Sequence, residues 1–260
     1  MTVYPNVKLN IGLRVLGKRP DGYHELQTAF VPCYAFSDCL EIVPAASFEV
    51  EITGPEYTGW DPSEDLTARA WRLLRADFGI PPVRISLEKR SPVGAGLGGG
   101  SADGAFALSA LNEMFSLGLS KDRLADYAAQ LGSDCAFFVY NFPMFASGRG
   151  EVLEPIRLPL DGYRFEVAVP EGVHVSTKEA YEGLKLSASA GEATASDLRA
   201  LITATPIEKW RDVVVNDFEA SIFPKYPAIA ELKEDFYRRG AVYAAMSGSG
   251  SAVFGIFKED

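Results

Sequence analysis

Apolar and polar residues alternate from the start of the chain. Val7, Leu9, Ile11, Leu13 and Val15 interleave with Asn6, Lys8, Asn10, Gly12 and Arg14. That two-residue period predicts a half-buried strand, with Lys8 and Asn10 together on its polar face and roughly 7 Å apart along the backbone. Pro20-Asp21-Gly22 is a turn signal, and the stretches Leu26 to Phe36 and Phe48 to Ile52 look extended. After Asp61-Pro62-Ser63, the spacing of Leu66, Ala70, Leu73 and Leu74 predicts a helix over 65–78, stopped by Gly79. Val83, Ile85 and Leu87 predict another strand, leading into PVGAGLGGGSADG and then a helix from Ser101 to Phe115. A helix from Lys121 to Leu131 ends at Gly132, and Cys135 to Tyr140 is a short apolar run. A change of domain is expected between Glu154-Pro155 and Asp161-Gly162. Beyond it the pattern predicts a strand from Phe165 to Val169, several helices including Ala228 to Arg239, and a strand on each side of SGSGS. Strands and helices mix without strict alternation, so the expected class is α+β rather than a doubly wound sheet. The expected domains are 1–156 and 157–260.

Charge narrows the range of partners. The chain has 25 basic and 35 acidic residues and a net charge of −10, which argues against broad binding to nucleic acid or an anionic membrane while leaving room for a local positive pocket. Cys33, Cys39 and Cys135 are an odd, scattered set that suits a reducing compartment better than a disulfide framework. The start, MTVYPNVKLN, has no basic segment followed by an apolar one, and no apolar run is long enough to span a bilayer. A soluble, cytoplasmic protein is expected. With only His24 and His174 besides those cysteines, no metal-ligand cluster is visible and a zinc site is not expected.

Six glycines among the thirteen residues 92–104 need a local reason, because ordering glycine costs more backbone entropy than ordering any other residue. Gly94, Gly96 and Gly99 satisfy G-x-G-x-x-G, but the acidic residue that should end a second strand about 20 residues later is missing from what reads as continuous helix. No Lys-Ser/Thr pair follows the glycines, so the P-loop pattern fails. A hydrolase elbow at Ser101 fails because Asp103 stands where glycine is required. What survives is a glycine run opening a helix, whose unpaired N–H groups and partial positive charge suit phosphate. The alternative is a tight structural turn. Asp134 reads as a candidate general base or, with Ser133, as the cap of the turn after Gly132. Lys89 and Arg90 stand at a strand end where they could attract phosphates, although exposed charges are the commoner reading there. SGSGS reads equally well as a small-residue hairpin turn.

Three separated stretches, VKLNIGLRVLGKRPDGYHELQT, PVGAGLGGGSAD and MSGSGSAVFGIF, supported by LGSDCAFF, occur in the order seen in GHMP kinases. The chain resembles that family over nearly its whole length. The resemblance implies an N-terminal ribosomal-protein-S5-like domain, a C-terminal ferredoxin-like domain, and phosphoryl transfer from ATP with Mg²⁺. It implies that Pro92, Val93, Gly94, Ala95, Gly96, Leu97, Gly98, Gly99, Gly100 and Ser101 wrap the ATP phosphates. It assigns Asp134 as the base and Lys8 as the cation beside the transferring group. Within the family, the Asp-Gly-Tyr-His of the first stretch points to a cytidyl alcohol substrate of non-mevalonate isoprenoid synthesis. Asn10, Thr177, Gly248 and Ser249 would then lie on the substrate side, Tyr23 and Tyr181 would stack on the cytosine with Phe30 nearby, and His24 would read the base edge. Asp65 stands where the family more often has asparagine near the nucleotide, and Lys178 stands where relatives often have proline. Mevalonate or homoserine as the alcohol, or a nucleotide-binding regulator without catalysis, are the other readings. A monomer or weak homodimer is expected.

Overall fold

A computed structural model of the chain describes residues 1–184 and 197–259. In chain order its first elements are β1 (Thr2–Val3), β2 (Asn6–Lys18), β3 (His24–Ser37), β4 (Cys39–Pro44), β5 (Glu49–Thr53), α1 (Leu66–Phe78), β6 (Val83–Glu88), α2 (Gly99–Met114), α3 (Lys121–Leu131) and α4 (Cys135–Tyr140). There follow β7 (Met144–Ser147), β8 (Val152–Pro155), β9 (Tyr163–Ala168), α5 (Thr177–Glu182), α6 (Leu198–Ala204), α7 (Trp210–Val213), α8 (Glu219–Ile222), α9 (Pro227–Arg238), β10 (Tyr243–Met246) and β11 (Val253–Lys258). Contacts gather the chain into one unit of residues Met1–Val7, Pro32–Val93 and Gly98–Phe142, and another of Lys8–Val31, Gly94–Leu97 and Pro143–Asp260. The contacts therefore follow a different line from the expected single break after residue 156. Most of β2, half of β3 and four residues of the glycine loop count with the C-terminal half of the chain.

The first unit holds a sheet of order β1-β4-β6-β5. β4 and β6 run antiparallel, with Leu40 opposite Leu87 and Ile42 opposite Ile85. These side chains and Val83 are buried, whereas Glu41 and Arg84 on the other face are exposed, so the alternation read from the sequence is the division between core and solvent. β5 pairs parallel with β6. A parallel pair needs a crossover, and α1 lies between the two strands in sequence to supply it. Asp65 caps α1 by accepting from the Thr67 N–H, and Gly79 ends the helix in a left-handed conformation. The apolar run 135–140 is the short helix α4, buried from Cys135 to Val139. Burial pushes the Cys135 thiol up to about 12, which keeps it protonated and unreactive.

The second unit holds two sheets, β2-β3-β7-β8 and the antiparallel β10-β11-β9. Its core gathers Leu13, Val15, Phe218, Ile222, Ile229, Phe236, Met246, Val253 and Phe257. α9 opens on Pro227, a residue suited to the first helical position, and buries Ile229 and Phe236. β2 departs from expectation, for every residue from Asn6 to Leu13 is buried. Its polar face is an interior face, made tolerable by hydrogen-bonding partners. Among the described residues no helix is long and apolar enough to cross a membrane.

Candidate active site

Lys8 is only 3% exposed. An ammonium taken out of water needs acceptors close by. Lys8 Nζ donates to Asn10 Oδ1 at 2.5 Å and to the Gly96 carbonyl at 3.2 Å, and lies 5.0 Å from the centre of the Phe30 ring. Asn10 Nδ2 donates to Thr28 Oγ1 (3.1 Å), whose hydroxyl donates to the Gly12 carbonyl (2.6 Å). The Asn10 N–H donates to Ser247 Oγ at 3.3 Å. Alternation along β2 puts Lys8 and Asn10 on one face. Thr28 and Ser247, which sequence reasoning missed, make that face habitable.

The glycine loop curls because Gly94, Gly96 and Gly98 take positive φ angles of 71°, 78° and 71°, while Ala95 and Leu97 between them are buried. Gly98 is also the N-cap of α2, where no side chain caps the helix. No side chain of the cap accepts from the first N–H groups of this sixteen-residue helix, an arrangement that favours an anion. Within the second unit, residues 94–97 meet the SGSGS turn. The Lys8 N–H donates to the Leu97 carbonyl (2.9 Å), the Ala252 N–H to the Ala95 carbonyl (3.0 Å) and Ser247 Oγ to the Gly96 carbonyl (3.1 Å). A Cβ on Gly96 would stand 2.1 Å from the Ser247 carbonyl oxygen, so no other residue fits there. Asn216 Nδ2 braces the turn by donating to the Met246 and Gly248 carbonyls, each at 2.8 Å. Ser249 Oγ lies 3.2 Å from Thr177 Oγ1.

In the first unit, Asp134 stands half-buried at the start of α4 and its side chain makes no cap hydrogen bond to that helix. Ser133 Oγ donates to Asp134 Oδ1 at 3.3 Å. Pro92, Val93, Gly99, Gly100 and Ser101 belong to this same unit, and the Ser101 hydroxyl makes a hydrogen bond with Cys135. Among the described residues no group of three or more His, Cys, Asp or Glu side chains could hold a metal ion. The Ser101 hydroxyl is a hard oxygen donor of the kind that Mg²⁺ takes beside water and phosphate oxygens.

The rings that the resemblance implies for the cytosine, Tyr23, His24, Phe30 and Tyr181, all belong to the second unit. The His24 ring stacks on Tyr181, with centroids 4.5 Å apart and planes 20° apart. Burial, and then the charge of Lys18, lowers the His24 pKa below its ordinary value. Tyr23 is 57% exposed, with the Arg149 guanidinium 4.8 Å from its ring centre. Phe30 lies in the core beneath Lys8.

Lys89 is not a surface charge. It is 2% exposed, and its ammonium donates to Asp38 Oδ2 (2.5 Å), Asp103 Oδ2 (2.7 Å) and Ser91 Oγ (3.3 Å). Arg90 is the exposed one and pairs with Glu88 at 2.6 Å. The signal was present in the chain, because Val83, Ile85, Leu87, Lys89 and Ser91 keep one odd-numbered phase and all are buried.

Known proteins match this chain over nearly its whole length. The family described as GHMP kinases N terminal domain matches residues 65–142, and GHMP kinases C terminal matches residues 197–260. A 4-diphosphocytidyl-2-C-methyl-D-erythritol kinase of Bacteroides thetaiotaomicron is 46% identical, covering 100% of this chain and 93% of its own length. Another of that name from Geobacillus thermodenitrificans is 37% identical, with 100% and 89% covered. A crystal structure of 4-(cytidine 5'-diphospho)-2C-methyl-D-erythritol kinase superposes with a TM-score of 0.77 at 33% identity, covering 98% of this chain and 89% of that one. The phosphomevalonate kinase of Streptococcus pneumoniae, with a TM-score of 0.71 and 16% identity, shares the fold.

Proposed function

This chain belongs to the GHMP kinase family, and from that membership we propose that it transfers the γ-phosphoryl group of ATP to the 2-hydroxyl of 4-diphosphocytidyl-2-C-methyl-D-erythritol. It does so in the cytoplasm, as a monomer or weak homodimer. The observation that carries this reading is Lys8, an interior ammonium bonded to the Gly96 carbonyl of the glycine loop. Full-length relatives that carry this activity in their names support the choice of substrate.

Phosphoryl transfer asks the protein for position and charge stabilisation. The N–H groups from Gly94 to Ser101 take the ATP phosphates. Asp134 accepts the proton as the substrate O–H bond breaks, the freed oxygen bonds the γ-phosphorus, and the bond from that phosphorus to the bridging oxygen breaks to release ADP. Lys8 offsets the charge gathering on the transferring group, and Asn10 holds the ammonium in place. The Ser101 and Ser249 hydroxyls are suited to phosphate or Mg²⁺, and the ion would neutralise phosphate charge when bound. Thr177, Gly248 and Ser249 line the alcohol side. Tyr23 and Tyr181 take the cytosine between them, with Phe30 nearby. The His24–Tyr181 stack must open for that, leaving His24 free to read the base edge.

The test is ADP release from ATP and Mg²⁺ with a panel of alcohols. ADP is expected with the cytidyl substrate and far less with methylerythritol phosphate lacking the cytidyl group, mevalonate or homoserine. Turnover of mevalonate or homoserine instead would move the chain to another branch of the family, and ATP binding without turnover of any alcohol would favour the regulator. Asp134→Asn should lower turnover by at least about 10² while the protein stays folded.

A further inference from the structure

The cluster around Lys89 takes no part in that chemistry, yet it touches both ends of the glycine loop. The chain enters the loop through Ser91, whose N–H and hydroxyl donate to Asp38 Oδ1 (2.8 Å) and Oδ2 (2.5 Å). It leaves through Gly99 into α2, where a Cβ would stand 2.6 Å from Ser91 Oγ and 3.4 Å from Lys89 Nζ. One turn further along the same helix, Asp103 accepts from Lys89 at 2.7 Å. One ammonium therefore bonds the residue before the loop and a residue of the helix after it, with all three of its protons engaged.

We infer that Lys89, together with Asp38, Ser91 and Asp103, is a positioning group that fixes the two ends of the phosphate-binding loop, so that affinity for ATP depends on this buried network. The inference rests on the loop's assignment to ATP. A loop rich in glycine has many conformations to lose on binding, and holding its ends in place reduces that loss. The charges suit a fixed brace. Burial would lower the Lys89 pKa, but Asp103 and Asp38 outweigh it and raise the value. Burial raises the Asp103 carboxyl well above its ordinary range, and Asp103 Oδ1 is buried without a hydrogen-bond partner. Two carboxylates and a hydroxyl around one ammonium fix its position, as a brace requires.

The test titrates a non-hydrolysable ATP analogue, and separately the cytidyl alcohol, into wild type and variants whose folding is checked by thermal melting. Lys89→Met should weaken the analogue by at least about tenfold and the alcohol by less than about twofold. Ser91→Ala, a milder change that keeps the core filled, should weaken the analogue about threefold. Asp103→Asn, which keeps an oxygen acceptor for Lys89, should weaken the analogue less than Asp103→Leu, which removes it. Should Lys89→Met fail to fold, Ser91→Ala decides. Wild-type affinity for the analogue in folded Lys89→Met or Ser91→Ala, or equal weakening of both ligands, would overturn the inference alone. A wild-type chain that does not bind the analogue would overturn the kinase reading as well.

Discussion

The glycine loop and the SGSGS turn are both built of small residues, yet the space around them differs. In the turn every glycine is packed. A Cβ on Gly248 would meet the Gly96 carbonyl oxygen at 3.0 Å and one on Gly250 would meet Met246 Sδ at 2.7 Å, while Ser247 and Ser251 are buried and hydrogen-bonded. In the loop, Gly96 and Gly99 are packed in the same way, but Gly94 and Gly100 are exposed and a Cβ on either would meet nothing within 4 Å. Packed glycines answer to the fold. Gly94 keeps a conformational reason in its positive φ of 71°, but Gly100 at the mouth of the helix has neither, and a ligand that approaches the backbone would supply one.

The largest effect that sharpens this contrast lies on the packed side. Asn216→Leu strands the Met246 and Gly248 carbonyls inside the protein, at a cost of roughly 1–3 kcal/mol for each lost partner. Thermal melting should show a drop of several degrees, and an unchanged midpoint would mean that the turn does not depend on this brace. Gly96→Ala comes next. Its left-handed conformation disfavours a Cβ by about 1–2 kcal/mol, and the 2.1 Å approach to Ser247 adds overpacking. A variant as stable as wild type in denaturant titration would contradict the geometry.

A smaller effect should appear as a slope against pH. Burial raises the Asp103 carboxyl, and Asp38 adds to this while Lys89 opposes it. Between the ordinary carboxylate range and the raised folded value, the unfolded chain has lost a proton that the folded one keeps, so folding stability falls as pH rises through that window. Asparagine has no such proton. Asp103→Asn should therefore gain stability relative to wild type from acidic towards neutral pH, and the difference should stop growing above the folded pKa. A pH-independent difference in unfolding free energy would show that Asp103 is not held protonated.

Much of the fold was legible because alternation survives folding wherever one face meets solvent, as in β4 and β6. It misled where the polar face turned inward. Lys8 and Asn10 looked like the wet side of β2 because their partners Thr28 and Ser247 come from 18 and 237 residues away from Asn10. Lys89 was misread for a different reason. Its phase placed it with Val83, Ile85 and Leu87, but charge suggested the surface, and its carboxylates lie 51 and 14 residues away in sequence. Asn216 gave no local signal at all, since its work is done on carbonyls 30 and 32 residues further on. The glycine motif was legible as a motif, whereas the division of its glycines into packed and open ones required the surrounding backbone.

Gly100→Val tests that division most directly. The added side chain enters open space in the unliganded protein, so stability should change by no more than about 1 kcal/mol, the scale of helix propensity. Calorimetric titration with a non-hydrolysable ATP analogue should nonetheless show affinity reduced at least about tenfold, with binding of the cytidyl alcohol retained. Undiminished affinity for the analogue in this folded variant would contradict the claim that the open glycines of the loop face the phosphates of ATP.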